Sequence, residues 1–461
     1  MQNAFKDKQK FEISSSMKTI LITLVFAVAF LISCNVNTQE GRRPNILIIL
    51  TDDQGNADAG YQRTPSQVST PSIDQIAKDG VVFTQGYASA YVCAPTRAGL
   101  LTGRYQQRFG FYRAPDSRIG LPLTEITLAV LLNKEGYHTG VFGKWHLGLT
   151  QEYHPCNKGF DEFYGFLGHG AHDYFDLSMS ENPDDFHHHI YRNLTPISDT
   201  GYLTDNLARE ASLFIEKHAN NENPFFVYLP FNAVHFPMQA PDADIKKFDS
   251  GSPERDIYLA MLHRMDEGIG RVIQTLKDEG VYENTLIFYL SDNGGAKNNK
   301  ADNLPFRGTK HTVYEGGLRV PFVMSWPAKL APATSKEPVI SIDILPTICA
   351  TLDIPLPENR IYDGRNMLSA IQNNTESPLH ERLFFDGNDN SWAVREGKWK
   401  LLYSRQGNLE LYNLEDDAVE QKNLVEKFPE IAADLKEKYT SWRNEMGPPM
   451  GKRRNKQRKR N

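Results

Sequence analysis

Four runs of consecutive apolar and β-branched residues stand out along the chain, and each gives way to polar side chains. Asn45-Ile46-Leu47-Ile48-Ile49-Leu50 runs into Thr51-Asp52-Asp53, and His138-Thr139-Gly140-Val141-Phe142 into Gly143-Lys144-Trp145-His146. Phe225-Phe226-Val227-Tyr228-Leu229 leads to Asn232-Ala233-Val234-His235, and Thr285-Leu286-Ile287-Phe288-Tyr289-Leu290 to Ser291-Asp292-Asn293-Gly294-Gly295. Runs without alternation suit strands buried on both faces, as in a parallel sheet covered by helices. Such sheets bind ligands beyond the carboxyl ends of their strands. Residues scattered from Asp52 to Asn293 are therefore predicted to meet in one crevice.

Between the runs the period changes to that of a helix. Leu203, Leu207, Ala211, Phe214 and Ile215 share one face, as do Tyr258, Met261, Leu262, Met265, Ile269, Val272, Ile273 and Leu276, with Gly280 as a stop. Strands alternating with helices give an α/β fold with a large, mostly parallel sheet. Near residue 380 the pattern shifts again. Leu383-Phe384-Phe385, Trp392-Ala393-Val394-Arg395, Lys398 to Tyr403 and Leu409 to Tyr412 read as short strands, and a helix is predicted from about Glu426 to Asn444. The chain divides into a main domain over 44–380, a smaller antiparallel sheet with one helix over 381–446, and a basic tail over 447–461.

The first 33 residues read as a leader. Lys18 precedes an apolar stretch from Ile20 to Ile32, too short for a comfortable membrane span and suited to a secretory signal. It ends in Leu31-Ile32-Ser33-Cys34, which resembles a bacterial lipobox, so Cys34 is expected to carry lipid and 34–43 to act as a tether. These features predict an exported protein anchored by lipid alone to the outer membrane of a Gram-negative bacterium, on its periplasmic or surface side. The chain has 461 residues, 40% hydrophobic and 23% charged, with a net charge of -6. A Lys/Arg-rich end can serve as a nucleic-acid arm or a nuclear address, but here it is read as a solvated tail with no nucleic-acid partner. Of four cysteines, Cys93, Cys156 and Cys349 remain after lipidation. Three is odd, so at least one stands outside an intramolecular disulfide.

Asp52, Asp53, Asp292 and Asn293 fall at two strand ends. Adjacent carboxylates in a buried crevice repel and call for a cation. An all-oxygen set suits calcium, with magnesium as the other hard cation. Arg97, Lys144 and Lys310 add positive charge beside His146 and His235. A metal, two lysines, an arginine and two histidines are suited to an oxyanion such as sulfate or phosphate. His187-His188-His189 is read as an exposed loop rather than a metal site.

Cys93-Ala94-Pro95-Thr96-Arg97 matches the Cys-x-Pro-x-Arg motif of the type I, formylglycine-dependent sulfatases. Gly136 to Gly148, Phe306 to Lys310 and Glu315 to Pro321 match further signatures in family order. The chain resembles that family, bacterial polysaccharide and ulvan-type members in particular, from about Pro44 to Met446. The resemblance implies an alkaline-phosphatase-like fold and conversion of Cys93 to Cα-formylglycine by a separate maturation enzyme. It implies calcium held by Asp52, Asp53, Asp292, Asn293 and the formylglycine. One hydroxyl of the hydrated aldehyde attacks sulfur while Arg97, Lys144 and Lys310 hold the sulfate. His235 or Lys310 protonates the leaving alcohol, and His146 deprotonates the second hydroxyl to release sulfate.

The expected substrate is a sulfated polysaccharide or its oligosaccharides, of algal type such as ulvan ahead of glycosaminoglycan. Arg113, His172 and Asp173 are placed at the pocket rim as substrate contacts. Two other functions compete: a phosphomonoesterase or phosphodiesterase on the same fold, and a glycan-binding lipoprotein without activity.

Overall fold

The computed structural model describes residues 42–62, 68–114, 119–168, 171–179, 189–372, 377–387 and 389–450. The leader, Cys34, most of the basic tail, His187 and His188 lie outside the described residues. Among the described residues no helix is long and apolar enough to cross a membrane.

All four apolar runs are strands, and they lie side by side. Asn45–Thr51 sits between Phe225–Pro230 and Thr285–Ser291, parallel to both, and His138–Lys144 pairs in parallel with Phe225–Pro230. Glu162–Phe166 extends this parallel centre, and shorter strands, some antiparallel, complete a ten-stranded sheet. Alternate residues of one strand serve two cores. Leu47 and Ile49 pack with the helices Leu203–His218 and Pro253–Asp278 on one face. Ile46, Ile48 and Leu50 pack on the other with the helices Cys93–Thr102 and Ile344–Thr351. Continuous apolar sequence is the result of burial on both sides. The sequence missed the strands Gly80–Phe83, Ile190–Arg192, Thr195–Ile197, Phe322–Ser325 and Ala333–Ser335. Three to four residues carry too little period to separate an edge strand from a loop.

Arg382–Asp386, Trp392–Glu396, Trp399–Tyr403 and Leu409–Asn413 form a four-stranded antiparallel sheet covered by the helix Pro429–Glu445. Buried charge ties it to the short helix Glu315–Leu318 of the main part. Lys400 Nζ lies 2.7 Å from Glu315 and 2.8 Å from Glu420, all three side chains being fully buried. Two carboxylates cannot share one ammonium at equal cost. Burial and the Glu315 charge push Glu420 up to about 7, against the pull of Lys400. Burial also acts on Glu315, but Lys400, Arg319 and Arg395 hold it down at about 2. The folded state therefore keeps a proton on Glu420 that the unfolded chain releases near its ordinary value. That contribution is complete at low pH and is lost as pH rises through about 7. Glu420→Gln is expected to remove this loss. Relative to the parent, the variant gains on the order of 1 to 3 kcal/mol between pH 5 and pH 8. Denaturant melts at the two pH values measure it, and an unchanged difference would sink the assignment.

Candidate active site

The register of the central strands brings the acidic pairs together. Thr51 is level with Ser291, so Asp52-Asp53 and Asp292-Asn293 leave the sheet at the same height. Lys144 ends its own strand two positions before His146, and His235 follows the end of Phe225–Pro230. Cys93 is the first residue of a ten-residue helix, Cys93–Thr102, every residue of which is buried. Its Sγ lies 3.3 Å from His146 Nδ1. A helix start presents unpaired backbone N–H groups and the positive end of the helix dipole, which favours an anion. Among the described residues Cys93, Cys156 and Cys349 are all unpaired, so the odd count resolves without any disulfide between them.

Three carboxylates face three cations here. Arg97 donates from Nε and Nη2 to Asp292 Oδ2 at 3.0 and 2.7 Å, from Nη1 to the Lys144 carbonyl at 2.7 Å, and lies 3.4 Å from Asp52. It is fully buried, so it underlies the acidic pair. Lys144 Nζ contacts the Asp52 carboxylate. Lys310 Nζ lies 2.6 Å from Asp53 Oδ1, which also accepts from Asn293 Nδ2 at 2.7 Å. Burial raises the Asp52 carboxyl, but Lys144, His235, Arg97 and Lys310 together hold it below the ordinary range. Asp292 goes the other way: burial and the Asp52 charge push it well up despite Arg97. Burial, with Lys144 and Arg97, holds His146 well below the usual imidazole value. It is therefore neutral at pH 7 and able to accept a proton. Lys310 stays charged, because Asp53 and its neighbours outweigh its burial.

The donor set fits a hard cation. Asp52 Oδ1, Asp292 Oδ1 and Asn293 Oδ1 are buried without a hydrogen-bond partner. An unmatched buried oxygen is expensive, and one metal ion would match all three together. Ligand atoms of Asp52, Cys93 and Asp292 lie within 4.8 Å of one another, as do those of Asp52, Asp53 and His235. The all-oxygen reading of the sequence thus gains a histidine at its edge, with His235 Nε2 3.6 Å from Asp53 Oδ2. Asp53 and His146 both hold positive φ, 62° and 58°, a strained backbone of the kind found at functional sites.

Each predicted rim residue has surroundings of its own. Asp173 Oδ1 accepts from the amides of Phe175 and Asp176, and its Oδ2 from Gln239, so it pins its own loop. His172 is buried against Phe166 with its Nδ1 2.7 Å from the Asp173 carbonyl. Arg113 is exposed, and Tyr112 before it lies under the Arg443 guanidinium of the C-terminal helix, at 4.8 Å. His189 is buried rather than exposed as its tract suggested. One contributor was missed. Buried Asn299 donates to the carbonyls of Asp53 and Val234 at 3.1 and 3.0 Å, linking the loops that carry Asp53 and His235. It lies in the polar stretch Lys297-Asn298-Asn299-Lys300, which offers no sequence signal.

Two known family descriptions match the chain. The family described as Sulfatase matches residues 44–354, and N-sulphoglucosamine sulphohydrolase, C-terminal, matches 308–445. The chain belongs to the sulfatase family. It is a sulfuric ester hydrolase on the alkaline-phosphatase-like fold, which answers the alternative of an inactive glycan-binding protein. The arylsulfatase A of Homo sapiens is 32% identical, over 86% of this chain and 82% of its own. The uncharacterized sulfatase YdeN of Escherichia coli is 28% identical over 88% and 87%. The crystal structure of Ps i-CgsB in complex with k-i-k-neocarrahexaose superposes with a TM-score of 0.84 at 34% identity, covering 89% of this chain and 94% of that one.

Proposed function

We propose that this sulfatase removes sulfate esters from a sulfated algal oligosaccharide, through Cys93 in its formylglycine form and a calcium ion held by Asp52, Asp53, Asp292 and Asn293. The carrying observation is the convergence of Cys93, three carboxylates, Lys144, Lys310 and two histidines in one buried crevice. Within the algal class, the neocarrahexaose held by Ps i-CgsB favours a carrageenan-like chain beside the ulvan that the sequence put first. The leader supports export and lipid anchoring at Cys34.

The cation supplies charge to the sulfate oxygens, and the hydrated aldehyde supplies the attacking oxygen together with a second hydroxyl that lets the ester collapse. The chain's own groups do the rest. Lys144 and Lys310, whose side chains are both buried, face the developing charge, where such charges act strongly. Arg97, fully engaged by protein acceptors, fixes Asp292 and Asp52 in place and acts as a positioning residue. His235, partly exposed at the crevice edge, is placed to protonate the leaving alcohol. Neutral His146, 3.3 Å from Cys93, is placed to take a proton from the nucleophile position.

The test is sulfate release from defined oligosaccharides of carrageenan, ulvan and glycosaminoglycan type, with matched phosphate esters as controls. Release from the carrageenan or ulvan set, at least about 100-fold faster than phosphate release, is expected. Preference for the phosphate esters would reject the reading, because it would show a site tuned to another oxyanion.

A further inference from the structure

A second concavity of about 450 Å3 lies between Asn390-Ser391-Trp392, the turn at Tyr403–Gly407 and the C-terminal helix. No step of the reaction uses it. Its volume falls in the range of ligand pockets, roughly 300–1,000 Å3. Trp392 and Tyr403 lie 16° from parallel at 6.1 Å, and Trp392 stacks on Tyr439 at 4.1 Å. Stacking fixes these rings while Trp392 and Tyr403 keep part of their surface in solvent. A fixed, accessible aromatic face offers apolar contact with little ordering penalty. Arg405 is exposed at the same cleft, and Asp389 takes its Nε at 2.5 Å and one terminal nitrogen. A guanidinium carries five N–H donors, so Asp389 orients it and leaves donors over. An oriented guanidinium suits a sulfate or carboxylate.

The cleft is joined to the crevice by one tyrosine. Ser391 Oγ meets Tyr91 Oη at 3.3 Å, and Tyr91 stands two residues before Cys93. The Tyr91 carbonyl accepts from the amide of His311, the neighbour of Lys310, at 3.1 Å. Any side chain at Gly387 would strike Tyr91 Oη, so the small sheet sits directly on the segment that leads to the nucleophile.

We propose that this cleft is a subsite for a further sugar unit of the same sulfated oligosaccharide, packed against the exposed surface of Trp392 and Tyr403 and held through an anionic substituent by Arg405. The proposal rests on the glycan-sulfatase reading. Aromatic faces, amide groups and an oriented arginine suit a charged sugar better than a peptide or a free anion.

Calorimetric titration of the Cys93→Ala chain, which binds without turnover, tests it. The ligands are disaccharides and hexasaccharides of carrageenan, ulvan and glycosaminoglycan type. The hexasaccharide of the released class is expected to bind at least tenfold more tightly than its disaccharide. Adding Arg405→Ala, or separately Tyr403→Ala, removes most of that gain and leaves the disaccharide Kd unchanged, with melting curves confirming the fold. A hexasaccharide Kd within twofold of the parent in both variants, or no gain with chain length, overturns the subsite and leaves the sulfatase reading standing. If the unsubstituted enzyme releases sulfate from none of the set, the glycan reading fails and the subsite with it.

Discussion

Replacing Cys93 with alanine is expected to lower kcat for sulfate release by at least about 10^4, with the fold unchanged. The side chain is small, buried at the start of its helix and in polar contact with His146 Nδ1. Its loss removes one small buried group and leaves no buried charge unpaired, so the melting temperature should hardly move. The rate effect is large because no other nucleophile stands there among the described residues. Lys144 and Lys310 are engaged with Asp52 and Asp53, and His146 lies beyond Cys93 as its proton acceptor. A 10^4-fold loss corresponds to about 5.4 kcal/mol of transition-state stabilisation. Cys93→Ser separates two explanations. A serine hydroxyl can accept a sulfuryl group, but it has no second oxygen on the same carbon with which to expel it. One equivalent of alcohol should then appear in a burst, with turnover stopping afterwards. Continued turnover by the serine variant would show that the aldehyde is unnecessary. Activity of the alanine variant above a tenth of the parent would remove Cys93 from the mechanism. A mass spectrum of the Cys93 peptide reads the thiol and aldehyde forms directly.

The centre of the fold and the centre of the site were legible for the same reason. A strand buried on both faces must be apolar throughout, and the place where it stops being apolar is the place where it leaves the sheet. That marked Asp52-Asp53, Lys144 to His146, His235 and Asp292-Asn293 as neighbours before any contact was known. The level pairing of Thr51 with Ser291 is the physical form of that inference. Arg97 was legible as part of the site but not as its foundation. The motif places it one helical turn beyond Cys93, yet only the fold shows its donors turned down onto Asp292 and the Lys144 carbonyl. Asn299 and the Trp392 cleft were not legible. Each depends on loops distant in sequence meeting across the sheet or across the seam between the two parts. Asp173 shows the converse: a carboxylate near the site, polar in sequence, is occupied by its own loop. Local satisfaction of hydrogen bonds has no signature in one sequence.

Chelation is expected to abolish activity and to lower stability as well, and the second effect identifies the residues that bind the cation. Asp52 Oδ1, Asp292 Oδ1 and Asn293 Oδ1 are buried and unmatched by protein donors. Without a cation Asp292 is pushed well up by burial and by Asp52, so part of the population avoids the repulsion by holding a proton. A divalent ion displaces that proton, so affinity should rise with pH and binding should release acid. The folded chain offers this site and the unfolded chain does not. Calcium at about 100 times its dissociation constant should therefore add about 2.7 kcal/mol of stability. Asp292→Asn keeps the shape of the side chain and removes its charge. Its amide oxygen can still accept from Arg97, which lies 2.7 Å from Asp292. Because burial and Asp52 already favour the uncharged form of Asp292, the variant should be at least as stable as the parent in chelator. It should also lose most of the calcium-dependent rise. Melting curves of parent and variant, in chelator and across a calcium series, give both quantities without any assay of sulfate release. A calcium-dependent rise of equal size in the two proteins would place the ion elsewhere. The three unmatched oxygens would then have to be satisfied by water, and Lys144 and Lys310 would have to carry the sulfate alone.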